Sequence, residues 1–167
     1  MYLVRQPGSF LGSSIRDSTD TSLLVASTIF LLGILAIYIN YDSDRQRHYF
    51  RQTRGKCLIW GQAPRTIHAK YITANGQANQ VNESLLLASG WWAVARNFHY
   101  LPELLASFLW SCTAGTASIV PYLYLMFLTA LLVDRSYRHD ERCRAKYGKS
   151  WEAYCELVPF KILPGIF

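Results

Sequence analysis

The stretch that most limits what this chain can fold into is Thr21 to Tyr41, TSLLVASTIFLLGILAIYINY, which contains no charged residue. Wound as a helix, a run of this length covers roughly 30 Å, the thickness of a bilayer's hydrocarbon core. Charge stands on both sides of it: Asp20 before, and Asp42, Asp44, Arg45 and Arg47 after. Tyr38 and Tyr41 sit at the second of these ends, where amphipathic rings prefer the membrane–water boundary. The run predicts a spanning helix over a buried helix of a soluble domain.

The rest of the chain repeats the alternation of apolar and basic blocks. Leu104 to Val133 has no charge but is interrupted by Ser111-Cys112-Thr113-Ala114-Gly115-Thr116-Ala117-Ser118 and by Pro121. Two shorter membrane segments, Leu104 to Cys112 and Ile119 to Val133, fit it better than one overlong helix, with small residues allowing a tight turn. Asp42 to Glu83 and Asp134 to Phe167 each carry seven Lys/Arg, whereas the first twenty residues carry only Arg5 and Arg16. The positive-inside bias places both basic blocks on the cytoplasmic side, so an even number of crossings separates them.

The 167 residues suit one domain, 51% hydrophobic and with a net charge of +6. A nucleic-acid binder shows such charge without long uncharged runs, so no nucleic-acid partner is expected. Cys57, Cys112, Cys143 and Cys155 follow no C-x-x-C or regular spacing and read as reduced thiols. Met1 to Asp20 reads as mixed and turn-rich, with no signal peptide; its abrupt start reads as the tail of something upstream, or equally as a short interfacial segment.

Within the first basic block, Arg47 and Arg51 lie four apart and share a face if the helix continues past the membrane. Two guanidinium groups so placed suit a phosphate. Spacing alone favours the plainer reading, flanking charge. Cys57 to Gly61 reads as a short strand or apolar anchor, and Ala69 to Thr73 followed by Ala74-Asn75-Gly76 as a turn or hairpin tip. Leu85 to Ala95 is too short to span. Gly90-Trp91-Trp92 and Arg96-Asn97-Phe98-His99-Tyr100 form either an interfacial belt, the commoner case, or a binding wall.

The last third alternates basic and aromatic residues and closes on Val158-Pro159-Phe160-Lys161-Ile162-Leu163-Pro164-Gly165-Ile166-Phe167. Tyr147, Trp151 and Tyr154 stand at helical spacing, which predicts a folded cap over a pocket at the membrane surface. Cys143 and Tyr147 share a face, Gly148 stops the first helix, and Ser150 is placed to cap a second one from Trp151. Nucleotide-binding, hydrolase and zinc-protease signatures are absent. His48, His68, His99 and His139 are scattered singly, so no metal site is expected. The arginines, the Trp/Tyr/His stretch and the Cys/Lys/Tyr tail, all on one predicted side, are compatible with a phosphorylated planar cofactor facing a lipid-side cavity.

Cys143-x-x-Lys146-Tyr147-Gly148, Trp151-x-x-Tyr154, Val158-Pro159-Phe160 and Leu163-Pro164-Gly165-Ile166-Phe167 together resemble the ending of the membrane sterol reductases. That family includes the delta-14 and delta-7 sterol reductases and the reductase domain of the lamin B receptor. Met1-Tyr2-Leu3-Val4, Ile39-Asn40-Tyr41-Asp42, Arg47-x-x-Phe50-Arg51, Gly55-Lys56-Cys57-Leu58-Ile59-Trp60-Gly61 and Ser89-Gly90-Trp91-Trp92 are similar to its delta-7 branch.

The resemblance implies an all-α polytopic helix bundle in the endoplasmic reticulum membrane, of which residues 1–167 form the C-terminal part. Membrane segments are then expected at about 21–41, 104–112 and 119–133, and cofactor-binding segments at 42–100 and 134–167. It implies a sterol substrate, lipid contact, other sterol-biosynthesis enzymes as partners, and NADPH as cofactor. Cofactor contacts would fall on Arg47, Arg51, Leu87, Trp92, His99, Tyr100, Cys143, Arg144, Ala145, Lys146, Tyr147 and Tyr154.

The implied reaction is ionic: protonation of a sterol ring double bond, then hydride delivery to the cation. Several positions depart from the family pattern. Arg47 stands where animal members have Lys, His99 for Asn, Asn97 for His, and Pro102-Glu103 for Gly-Asp. His139 stands where the family has an Asp thought to matter for protonation, and the carboxylate comes one position later, at Asp140. One position on a helix turns a side chain by about 100°, so the proton source is His139, Asp140 or a residue upstream. The expectation is that this chain alone, lacking the sterol-side helices, does not reduce sterol. Two rival readings are a non-catalytic membrane scaffold keeping the reductase fold, or a truncated fragment of it, and a membrane methyltransferase of the isoprenylcysteine type.

Overall fold

The computed structural model describes residues 9–75, 78–113 and 119–166. The order is helix α1 (Ser9–Gln52), strands β1 (Thr66–Asn75) and β2 (Ala78–Leu87), a 3-10 turn (Gly90–Ala93), and helices α2 (Tyr100–Thr113), α3 (Val120–Tyr147) and α4 (Lys149–Leu157).

Helix α1 carries the uncharged run. Leu23, Leu24, Phe30, Ile34 and Ile37 all point outward. Such a continuous apolar band is at home against lipid. Among the described residues, one helical stretch, Ser22–Gln52, is long and apolar enough to cross a membrane. Its packed side is a stripe: Ala36, Ser43 and Phe50, seven apart, are each 1% exposed or less. Small residues at the first two positions let the next elements approach closely. The indole N–H of Trp92 reaches the Ser43 carbonyl at 2.9 Å, and that of Trp91 reaches the Asp42 carboxylate at 2.8 Å.

The molecule is mostly helical, but not all-α as expected. Strands β1 and β2 pair antiparallel from Thr66↔Leu87 to Asn75↔Ala78. Alternation along β2 explains why: Leu85 and Leu87 pack with Phe50, Cys57, Ile59 and Trp92, while Leu86 joins Ile67, Trp151 and Tyr154 on the other face. The expected tip at Ala74-Asn75-Gly76 falls at this hairpin's end, with Gly76 itself outside the described residues.

Three local expectations need correction. Met1 to Asp20 reads as turn-rich, yet α1 already runs from Ser9. Of the two readings of Cys57 to Gly61, the strand does not form, and an isolated Ile59↔Gln62 bridge closes a turn with positive φ at Trp60 and Gly61; the apolar anchor does, with Cys57 and Ile59 buried against Phe50, Leu87 and Trp92. Ser150 does not cap α4. Gly148, at φ +52°, takes that place, donating back to the Arg144 carbonyl and accepting from the N–H of Trp151. A glycine bears this φ without a Cβ penalty.

Helices α2 and α3 end and begin at Thr113 and Val120, on either side of 114–118, which lie outside the described residues. The C-terminal strand of chain turns back over them. The N–H of Arg96 donates to the Phe160 carbonyl at 2.9 Å and that of Asn97 to Lys161 at 2.8 Å. Ile162 then packs with Tyr100, Leu128 and Leu132.

Candidate functional site: a pocket at the charged end of α1

The pocket draws its walls from α1, β2, the 3-10 turn, α3 and α4. It is a cavity of about 110 Å³ between Arg47, Phe50 and Arg51 on one side and His139, Cys143, Tyr147, Trp151 and Tyr154 on the other. Leu87 and Trp92 form its floor. A groove of about 510 Å³ adjoins it, sharing Arg47 and Arg51 and adding Tyr41, Asp44, Arg45 and His48. Both arginines reach the pocket because α1 continues past its apolar stretch, keeping positions four apart on one face.

On the opposite wall, helical spacing does the same for His139 and Cys143, whose Nε2 and Sγ atoms are 3.6 Å apart. Burial lowers the His139 pKa below its ordinary 6.5, with Arg47 adding to the effect, so its imidazole is neutral near pH 7. Burial raises the Cys143 thiol, against the pull of Arg47. Tyr154 donates its hydroxyl to the Leu87 carbonyl at 3.0 Å, and burial pushes its pKa up to about 12.

Of the residues singled out from the sequence, Arg47, Arg51, Leu87, Trp92, His139, Cys143, Tyr147 and Tyr154 meet at this pocket. His99 stands one ring back, 5.3 Å from Trp92 between centroids. Burial takes its pKa to about 4, and its buried Nδ1 has no hydrogen-bond partner among the described residues. Tyr100 lies further off, packed with Leu128, Leu132 and Ile162. Arg144 and Ala145 are exposed in the last turn of α3. Lys146 is turned to the hairpin, its Nζ 4.0 Å from the Tyr71 ring centroid. Asp140 is absent from the pocket wall; its carboxylate faces Arg96.

Arg96 and Trp151, read from the sequence only as part of a binding wall or belt and of a cap over a pocket, and Phe50, given no role of its own, all line the pocket. Arg96 had a signal: it is the single Lys or Arg between Glu83 and Asp134. A cation alone in an apolar half of a chain is either paired or functional.

The donor set suits a phosphorylated, aromatic cofactor. Two guanidinium groups offer bidentate donors for phosphate oxygens, aromatic faces offer a stacking surface, and the orphaned His99 Nδ1 lies behind Trp92.

Sequence comparison supplies the family. Residues 10–167 match the model of the "Ergosterol biosynthesis ERG4/ERG24 family". The chain is 50% identical over 161 residues to the 7-dehydrocholesterol reductase of Arabidopsis thaliana, covering 96% of this chain and 36% of that protein. It is 36% identical over 166 residues to the 7-dehydrocholesterol reductase of Xenopus laevis, covering 99% and 34%. Against the Delta(14)-sterol reductase erg24 of Schizosaccharomyces pombe it is 34% identical, covering 89% and 32%. The chain therefore belongs to the ERG4/ERG24 family of sterol reductases. It spans about a third of the length of the curated relatives it matches.

Proposed function

We propose that this chain forms the NADPH-binding part of a membrane sterol reductase acting on the delta-7 double bond of a sterol, within the endoplasmic reticulum membrane. The supporting observation is the meeting of Arg47, Arg51, Trp92, His139, Cys143, Tyr147 and Tyr154 at one pocket where α1 leaves its apolar stretch. Relatives named 7-dehydrocholesterol reductase support this substrate class.

In this reading NADPH supplies the hydride. Arg47 and Arg51 would hold its phosphate oxygens, with Trp92 packed beneath Arg47. Leu87, Phe50 and Tyr154 keep water from the pocket floor, which hydride transfer requires. His139 faces this space, and Cys143 lies next to it. Helices α2 and α3 enter the membrane as a hairpin, leaving both basic blocks on one side. A groove of about 1070 Å³ between α1 and α2 is lined by Val25, Ile29, Phe30, Ile34, Leu109 and Trp110.

The test is a chimera in which this chain replaces its matching segment of the Arabidopsis thaliana 7-dehydrocholesterol reductase. NADPH-dependent loss of the conjugated-diene absorbance of 7-dehydrocholesterol is expected. No loss in membranes that contain the folded chimera contradicts the proposal.

A further inference from the structure

We infer that Arg96 and Asp140 are a positioning pair: their contact sets the rotation of α3, so that His139 and Cys143 face the pocket, and fastens the returning C-terminal segment to that rotation. Its consequence for cofactor binding rests on the function proposed above; the positioning itself does not.

Arg96 is 8% exposed and lies in the loop before α2. Its Nη1 donates to the Asp140 Oδ1 at 3.0 Å and also meets the Cys155 Sγ on α4. Its Nη2 donates to the Pro159 carbonyl at 3.2 Å. The same Asp140 oxygen accepts the Trp151 indole N–H at 3.0 Å. Four segments thus converge on one ion pair: the loop before α2, α3, α4 and the tail.

A buried guanidinium with one carboxylate partner cannot release it without leaving an uncompensated charge. Asp140 is therefore held away from the pocket. Neighbouring positions on a helix differ by about 100°, and positions four apart share a face. Fixing Asp140 toward Arg96 consequently leaves His139 and Cys143 facing Arg47 and Tyr154. The carboxylate that stands one position after His139 acts through the helix it anchors, not on the reacting atoms.

The experiment uses the full chain in lipid nanodiscs, with Asp140→Asn, Asp140→Glu and, as a control, Glu141→Gln. Asp140→Asn keeps an oxygen for Trp151 but removes the charge that Arg96 needs. Two quantities are read: NADPH affinity from tryptophan quenching, and the rate of Cys143 alkylation by a small maleimide, resolved by mass spectrometry, with and without NADPH. We expect Asp140→Asn to weaken NADPH binding about tenfold, as for loss of one buried charged contact, to change the alkylation rate of Cys143 severalfold, and to lose its protection by NADPH. Asp140→Glu recovers most of both; Glu141→Gln changes neither. Wild-type affinity and alkylation in Asp140→Asn, or no recovery in Asp140→Glu, overturn the inference. If the wild-type chain does not bind NADPH, the cofactor reading fails by itself. The alkylation rates then still decide the pair: a difference between wild type and Asp140→Asn upholds it, and equal rates overturn it.

Discussion

Arg47 holds its guanidinium carbon 4.4 Å from the centroid of the Trp92 ring, and Trp92 is itself fixed by its indole N–H to the Ser43 carbonyl one turn earlier on α1. The arginine is thus aimed by a ring that its own helix holds in place. A partly desolvated cation over an indole is worth about 1 to 2 kcal/mol. Trp92→Leu keeps the packing volume apolar but frees Arg47, and NADPH affinity is expected to fall roughly tenfold by that arithmetic. Calorimetric titration of both proteins checks it.

His99 gives the chain a pH-dependent stability. Its folded pKa of about 4 lies below the ordinary 6.5, chiefly through burial. The unfolded state therefore binds the proton more readily. The stabilising contribution is complete above pH 6.5 and is lost as pH falls toward 4; at 1.36 kcal/mol per unit it amounts to at most about 3 kcal/mol. His99→Asn removes the titration. Thermal melts at pH 7 and pH 4.5 are expected to show a smaller drop for the variant than for the wild type. Equal drops mean that His99 is accessible to protons in the fold.

The neutral imidazole of His139 faces the pocket where the family resemblance expects a carboxylate. In the chimera with the Arabidopsis thaliana relative, His139→Asp is expected to raise turnover about tenfold, a modest part of what a placed general acid supplies. An unchanged or lower rate shows that the imidazole serves as well.

Topology follows from which ends meet. Arg47 and Arg51 at the end of α1 share a pocket with Cys143 and Tyr147 at the end of α3, which, in the membrane arrangement proposed above, puts both ends on one side. Single cysteines placed next to Arg54 and next to Lys149, in a background without the native cysteines, are expected to label from the same side. Labelling from opposite sides contradicts the arrangement.

What the sequence made legible was whatever depends on one helix at a time. The apolar run Thr21 to Tyr41, the shared face of Arg47 and Arg51, the pairing of Cys143 with Tyr147 and the stop at Gly148 all follow from helical periodicity or local backbone chemistry. The β-hairpin was harder to see, because only a tip was readable at Ala74 to Gly76, and the unbroken apolar run Leu85 to Leu87 shows no alternation and also fits a membrane-edge segment. The role of Asp140 was illegible for another reason. Its partners Arg96 and Trp151 are 44 and 11 residues away, and no periodicity links such positions. On the inference drawn above, the contact of Asp140 with Arg96, not spacing, decides which of the two adjacent residues, His139 or Asp140, reaches the pocket.

Recognition of a phosphorylated nicotinamide cofactor by this pocket is tested by a paired titration of NADPH and NADH into wild type and Arg51→Ala. Each charge-assisted contact to the extra phosphate is worth about 1.5 to 3 kcal/mol. The account predicts that wild type prefers NADPH by at least tenfold, and that Arg51→Ala weakens NADPH far more than NADH. Equal affinity of the wild-type chain for the two cofactors, or an equal loss of both in Arg51→Ala, would contradict it and leave Arg47 and Arg51 as flanking charge at a membrane edge.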